Sequence, residues 1–223
     1  MFQRYAVYYT PEGALAECGA AWLGWDVARG VYREHPKIGD LDVAGLTQTP
    51  RRYGVHGTIK PPFFLAPGSC SKTLSQELED LCHRLAPVML EGLQVRTLGR
   101  FIALTPVGDT KALSELAARV VRDLDHFRAP TREDELSKRR AKGLSLSQEG
   151  NLAQWGYPHV MEDFRFHITL TERINKNRDQ VVEAAHSHFA PHLPVPFRVD
   201  SLTLTGQDAD GMFHEIHRFS LNG

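Results

Sequence analysis

Two stretches of the chain carry one short pattern: an apolar residue, a histidine, any residue, a threonine and a second apolar residue. They are Val55-His56-Gly57-Thr58-Ile59 and Phe166-His167-Ile168-Thr169-Leu170. On a strand, side chains alternate faces, so each His shares a face with the Thr two positions on, and the apolar neighbours face a core. An imidazole titrates near neutral pH and a threonine hydroxyl donates a hydrogen bond. Two copies facing each other would set two histidines and two hydroxyls around one small anion, which outlines a phosphoester site. The same parity adds Lys60 to the first face and Asp163 and Arg165 to the second. Each strand then carries a cation two residues from its histidine, as the lining of an anion pocket would. The competing reading of these strands is a pair of wet outer faces.

Composition places the chain among soluble enzymes. It has 223 residues, 42% hydrophobic and 24% charged, enough for one large domain or two small lobes. No apolar run approaches membrane-spanning length, and Met1-Phe2-Gln3-Arg4-Tyr5 leads into a strand-like segment without a secretory signal. Cys18, Cys70 and Cys82 form no C-x-x-C pair, so a reducing cytoplasm is the expected setting. A net charge of −1 argues against an extended nucleic-acid footprint, which needs a basic stripe.

The elements that must position the motifs follow from periodicity. Tyr5–Tyr9 reads as a strand and Ala14–Ala28 as a helix. A loop through Pro50 follows, then the first motif strand, Tyr53–Lys60, which Pro61-Pro62 should end. Lys72–Leu85 is amphipathic with leucines at helical spacing, and Leu93–Leu98 with Phe101–Thr105 reads as a hairpin through Gly99-Arg100. Thr110–His126 is helical, Arg165–Leu170 is the second motif strand, and a helix over roughly Lys176–Phe189 follows it. Arg198–Thr205 and Met212–Leu221 read as closing strands. Strand, helix, motif strand, helix thus occurs twice, a duplication of pattern. The fold expected is α+β: one bilobal domain over residues 1–223, with pseudo-symmetric lobes of antiparallel sheet and helices about a central cleft. The lobes would span residues 1–90 and 91–223, with an inserted segment at 129–157. In that insertion the basic run Lys138-Arg139-Arg140-Ala141-Lys142 either steers phosphate or is the solvated face of a linker helix. Trp155-Gly156-Tyr157-Pro158 could stack a base or sugar, or pack on a lobe.

These residues resemble the 2H phosphoesterase superfamily, whose signature is a pair of His-X-Ser/Thr-X motifs on strands of two related lobes. Arg52 to Phe63 is similar to the first motif of a subgroup associated with phosphonate-utilisation operons. Trp155-Gly156-Tyr157-Pro158 with Phe164 to Thr171 is similar to its second. Gly57 departs from the alanine often found there, at a position facing away from the cleft. The resemblance implies a LigT-like enzyme that hydrolyses small cyclic phosphodiesters, such as ribose or nucleoside cyclic phosphates, without metal or other cofactor. His56 and His167 would be its general acid–base pair. Thr58 and Thr169 would hold the non-bridging oxygens, while Lys60 and Arg165 would neutralise charge. Tyr53 and Trp155 are further candidates for contacting substrate, although Tyr53 shares parity with core-facing Val55. A small anionic cyclic phosphate is the expected partner, with other phosphonate-pathway enzymes beside it.

Two other readings compete. A metal hydrolase could use His56, His167 and Asp163, but threonine is a poor zinc ligand. His186, His188 and His192 fall at a helix end that Pro191 breaks, and Cys82-His83 sits on a helix that its leucines explain. The second rival is an RNA-end or nucleotide-phosphate binding module, or a 2′–5′ ligase-type activity, on the same residues.

Overall fold

A computed structural model describes residues 2–223. In chain order the elements are β1 (Arg4–Tyr9), α1 (Gly13–Leu23), β2 (Trp25–Asp26), β3 (Val31–Tyr32), α2 (Val43–Leu46), α3 (Gln48–Arg51), β4 (Gly57–Phe63), α4 (Ser71–Cys82), β5 (Val88–Leu90), β6 (Gly92–Leu98) and β7 (Phe101–Val107). The rest are α5 (Lys111–Asp123), α6 (Glu133–Arg140), α7 (Leu146–Trp155), β8 (Ile168–Thr169), α8 (Arg178–Phe189), β9 (Phe197–Val199), β10 (Ser201–Gln207) and β11 (Phe213–Ser220). Seven strands form one antiparallel sheet in the order β11-β10-β1-β4-β8-β7-β6. The fold is α+β with antiparallel sheets and helices, as the periodicity predicts.

One face of this sheet carries the main core. Tyr5, Val7 and Tyr9 of β1 and the buried run Phe164, Phe166, Ile168 and Leu170 meet Leu74, Leu78 and Leu81 of α4, Leu113, Leu116 and Val120 of α5, and Phe189 of α8. The amphipathic spacing of those helices is what places them there. On the other face Ala6 and Tyr8 join Trp25, Val27, Met212 and Phe213 in a smaller cluster. That face carries the motif side chains. The Trp22 indole N–H of α1 donates to the Leu170 carbonyl at 2.8 Å, tying the first helix to the second motif.

Several boundaries differ from the sequence reading. The lobes do not divide at residue 90, because the β10–β11 hairpin crosses back to pair with β1. The first half-sheet is therefore β11-β10-β1-β4, the second is β8-β7-β6, and Gly57↔Ile168 joins them. The first helix ends at Leu23 instead of Ala28, since Gly24 adopts φ 79° and its N–H caps the Ala20 carbonyl. Pro61-Pro62 does not end the first motif strand: β4 runs on to Phe63, opposite Tyr5. The prolines fall in an irregularity between the Val7↔Lys60 and Tyr5↔Phe63 pairs, where an extra residue escapes the ladder. The second motif strand shrinks to Ile168–Thr169. Among the described residues no helix is long and apolar enough to cross a membrane.

Candidate active site

The two motifs adjoin where the half-sheets meet. Gly57 pairs with Ile168 in an antiparallel register, so one step to either side sets His56 across from Thr169, and Thr58 across from His167. Each histidine therefore faces the threonine of the other motif. Tyr8 pairs with Thr58 and Ala103 with Thr169, which extends the cleft face on both sides.

The two imidazoles are held in one way. His56 Nδ1 lies 3.0 Å from the Gly54 carbonyl and His167 Nδ1 lies 2.8 Å from the Arg165 carbonyl, two residues back in both cases. A carbonyl only accepts, so Nδ1 carries the proton and Nε2 is turned toward the cleft. Gly54 sits at φ 67°, and a side chain there would strike Val27 at 2.7 Å, so glycine is required in the turn that aims His56. His56 Nε2 lies 3.1 Å from Thr58 Oγ1, whose hydroxyl donates to it.

Their surroundings differ. The Tyr8 ring lies 4.1 Å from the His56 ring and Tyr53 lies 5.7 Å away, itself stacked on Phe213 at 5.2 Å. Burial pushes the His56 pKa down to about 4; its bond to Gly54 opposes the shift and the charge of His167 adds to it. His167 is half-buried, with Phe101 as its aromatic neighbour at 5.8 Å.

The remaining sequence candidates are not all gathered here. Lys60 is displaced from the Thr58 face by a register irregularity between Val7 and Tyr8 on the partner strand. Its ammonium is buried and bonds the Val121 carbonyl at 3.2 Å and Asp125 at 3.4 Å. Burial pulls its pKa down to about 8 against the pull of Asp125. Arg165 is exposed, its guanidinium curled back onto the carbonyls of Glu162 and Phe164 at 2.9 and 2.6 Å. Asp163 accepts from Ser147 at 2.5 Å and Asn151 at 3.1 Å. Among the described residues no group of three or more His, Cys, Asp or Glu is placed to hold a metal ion. Trp155, at the end of α7, lines a cavity beyond Lys60 together with Arg4, Arg128, Arg139 and Tyr157.

Sequence reasoning missed Arg4 and Tyr8. Both share the parity opposite to Tyr5, Val7 and Tyr9, so the alternation that marks the core strand also marks its cleft face. Arg139 belongs to the basic run that the sequence offers as a phosphate-steering patch, whereas Arg128 has no comparable signal because a loop brings it in.

The paired motifs on adjoining strands give the arrangement by which 2H phosphoesterases are recognised. Residues 58–214, well over half of the chain, match the family described as "Protein of unknown function (DUF1045)", and the chain belongs to that family. Two curated relatives are named "Ribose 1,5-bisphosphate phosphokinase PhnN". The one from Janthinobacterium sp. (strain Marseille) is 36% identical over 231 residues, covering 99% of this chain and 51% of that protein. The one from Laribacter hongkongensis (strain HLHK9) is 34% identical over 175 residues, covering 78% and 41%. The chain thus spans about half the length, or less, of the curated relatives it matches. Among solved structures, E. coli LigT complexed with 3′-AMP aligns at 15% identity and a TM-score of 0.47 over 100% of both chains. TT0787 of Thermus thermophilus aligns at 18% identity and a TM-score of 0.43 over 99% and 98%.

Proposed function

We propose that this chain is a phosphodiesterase that opens a small cyclic phosphodiester of ribose, in phosphonate metabolism, without needing a metal. The observation that supports this reading is the Gly57↔Ile168 pair, whose antiparallel register directs each Nδ1-anchored histidine toward the threonine of the other motif. In-line displacement at phosphorus needs a base for water on one side and an acid for the departing oxygen on the other. His56 is neutral at neutral pH because its pKa lies at about 4, so its Nε2 takes the proton from the attacking water. The water oxygen bonds to phosphorus, the bond to one ring oxygen breaks, and His167, entering the cycle as the imidazolium with a proton on each nitrogen, gives its Nε2 proton to that oxygen. Thr58 and Thr169 donate to the non-bridging oxygens, where charge builds. Thr58 must leave its bond to His56 as substrate enters.

The names of the curated relatives narrow the substrate. A hydrolase working beside a kinase of ribose 1,5-bisphosphate would produce that compound. Ribose 5-phosphate 1,2-cyclic phosphate yields it when the bond between phosphorus and O2 is cut. The test is turnover of a panel of ribose and nucleoside cyclic phosphates in excess EDTA, by wild type, His56→Ala and His167→Ala. Turnover that survives EDTA and falls about 10²–10⁴-fold in each variant is expected, the usual span for a lost acid or base. Loss of turnover in EDTA would favour the metal hydrolase. Tight binding of cyclic phosphates or RNA ends without turnover would favour the binding module.

A further inference from the structure

β1 and β4 also lead to a group of cations that the proton chemistry leaves unused. Arg4 from β1, Lys60 from β4, Arg128 and Arg139 line one cavity, with Trp155 and Tyr157 from the insertion as aromatic walls. Its volume of about 30 Å³ exceeds the roughly 10–15 Å³ that one water needs, so a polar group can enter it.

The charges here do not cancel. Arg128 grips Asp125 through Nε at 2.8 Å and Nη2 at 3.0 Å, and Lys60 shares the same carboxylate at 3.4 Å. Arg139 pairs with Glu135. Arg4 has only the neutral amide oxygen of Gln207, at 2.6 Å. Arg132 also lines the cavity and pairs with Asp134 at 3.2 Å, so five cations meet three carboxylates, leaving the charge of two cations uncompensated, which matches a phosphate monoester dianion. A donor is also left over. Arg139 Nε is buried without a partner among the described residues, a state that native proteins rarely tolerate without a ligand or water. The Arg139 guanidinium carbon lies 4.7 Å from the centre of the Tyr157 ring, which fixes the fork against the cavity wall.

Tyr8 connects this cavity to the catalytic pair. Its ring rests on His56, while its buried hydroxyl has no partner among the described residues. Arg4, which lines the cavity, shares Tyr8's face of β1 four residues before it. The cavity and the motif are therefore linked along two paired strands, since β1 carries Arg4 and Tyr8 while β4 carries Thr58 and Lys60.

Building on the proposed phosphodiesterase, we infer that the cavity between β4 and the 129–157 insertion binds a second phosphate of the substrate, a monoester on the far side of the sugar. The enzyme then selects a phosphorylated ribose cyclic phosphate over the same ring without that group.

The test compares ribose 5-phosphate 1,2-cyclic phosphate with ribose 1,2-cyclic phosphate, using wild type, Arg139→Gln and Arg4→Gln. Helix α6 buries no side chain, so Arg139→Gln leaves the core intact. Wild type should prefer the phosphorylated compound in kcat/KM by about 10²-fold, and each variant should cut that preference roughly 10-fold through KM, as loss of a charged hydrogen bond does. Equal preference in wild type and both variants would overturn the inference while leaving the phosphodiesterase reading intact. If neither compound turns over, that reading falls and the cavity is judged by calorimetric binding of ribose 5-phosphate. Binding that persists in the His56→Ala/His167→Ala double variant and weakens about 10-fold with Arg139→Gln supports the cavity. Absent binding, or binding insensitive to both arginines, refutes it.

Discussion

Gly57 is the position where the smallest substitution should have the largest effect. It pairs with Ile168 at the junction of the half-sheets, and its missing side chain leaves room for the Phe166 ring. A Cβ at residue 57 would lie 2.3 Å from both Cε2 and Cζ of that ring, whereas carbons in contact sit about 3.5–4.0 Å apart. The ring would have to retreat by more than about 1 Å. It has little space, because Tyr9 lies 6.0 Å and Phe197 5.9 Å from it, and those two pack edge to face at 5.2 Å. Gly57→Ala should therefore cost about 1–3 kcal/mol, the usual range for overpacking a core. At about 2–4 °C per kcal/mol for a chain of this size, a thermal melt should show a fall of several degrees. Phe166 adjoins His167, so turnover should fall as well. Phe166→Leu should recover part of the stability in the Gly57→Ala background, with a coupling of about 0.5–3 kcal/mol. An unchanged melting temperature in Gly57→Ala, or strict additivity with Phe166→Leu, would refute this account of the junction.

Other expectations follow from burial and capping. The lowered pKa of His56 means that the unfolded chain takes up its proton first, so wild type loses stability as pH falls from 6.5 toward about 4. Denaturant titrations should show up to about 3 kcal/mol of extra loss over that window relative to His56→Gln. Lys60 has the same sense of shift at higher pH: between about 8 and 10.5 the unfolded chain holds the proton that the folded one releases. Wild type should thus gain stability with rising pH relative to Lys60→Met, and a flat difference would contradict the burial of that ammonium. Ser145 accepts from the Gln148 N–H at 3.1 Å in a capping box that starts α7. Ser145→Ala should cost about 1 kcal/mol and raise amide exchange across α7, the helix that seats Trp155.

What could be read from the chain was local. The alternation in Phe164, Phe166, Ile168 and Leu170 marks the buried face of the second motif, and that of Val55 and Ile59 does so for the first. Both faces are found as the pattern requires. Lys60 lines the neighbouring cavity, with its ammonium bonded to the Val121 carbonyl and Asp125. Parity assumes an unbroken ladder, and the irregularity after Thr58 breaks it only locally, since Phe63 returns to the core with Ile59. The lobe boundary near residue 90 fails for a different reason. The β10–β11 hairpin belongs to the first half-sheet through pairing with β1, at the opposite end of the chain, and no local pattern encodes a partner so distant. The insertion reads as a charged helix, and α6 is one. Its basic run holds Arg139, which lines the cavity with Trp155 and Tyr157, but no periodicity separates that arginine from its exposed neighbours Lys138 and Arg140.

The crossed register also bears on how such a site could be taken apart. Because each histidine looks toward the other motif's threonine, neither repeat owns a complete catalytic unit. A fragment carrying only the first repeat would have its own histidine and threonine but no counterpart opposite either. To present the full set it would need to associate with a copy of itself, rotated by half a turn about the Gly57–Ile168 position. The intact chain encodes that association covalently, and the hairpin returning to β1 closes it. Complementation between separately expressed halves would thus require residues 201–220 to travel with the first half, a division set by the sheet and not by the order of the repeats.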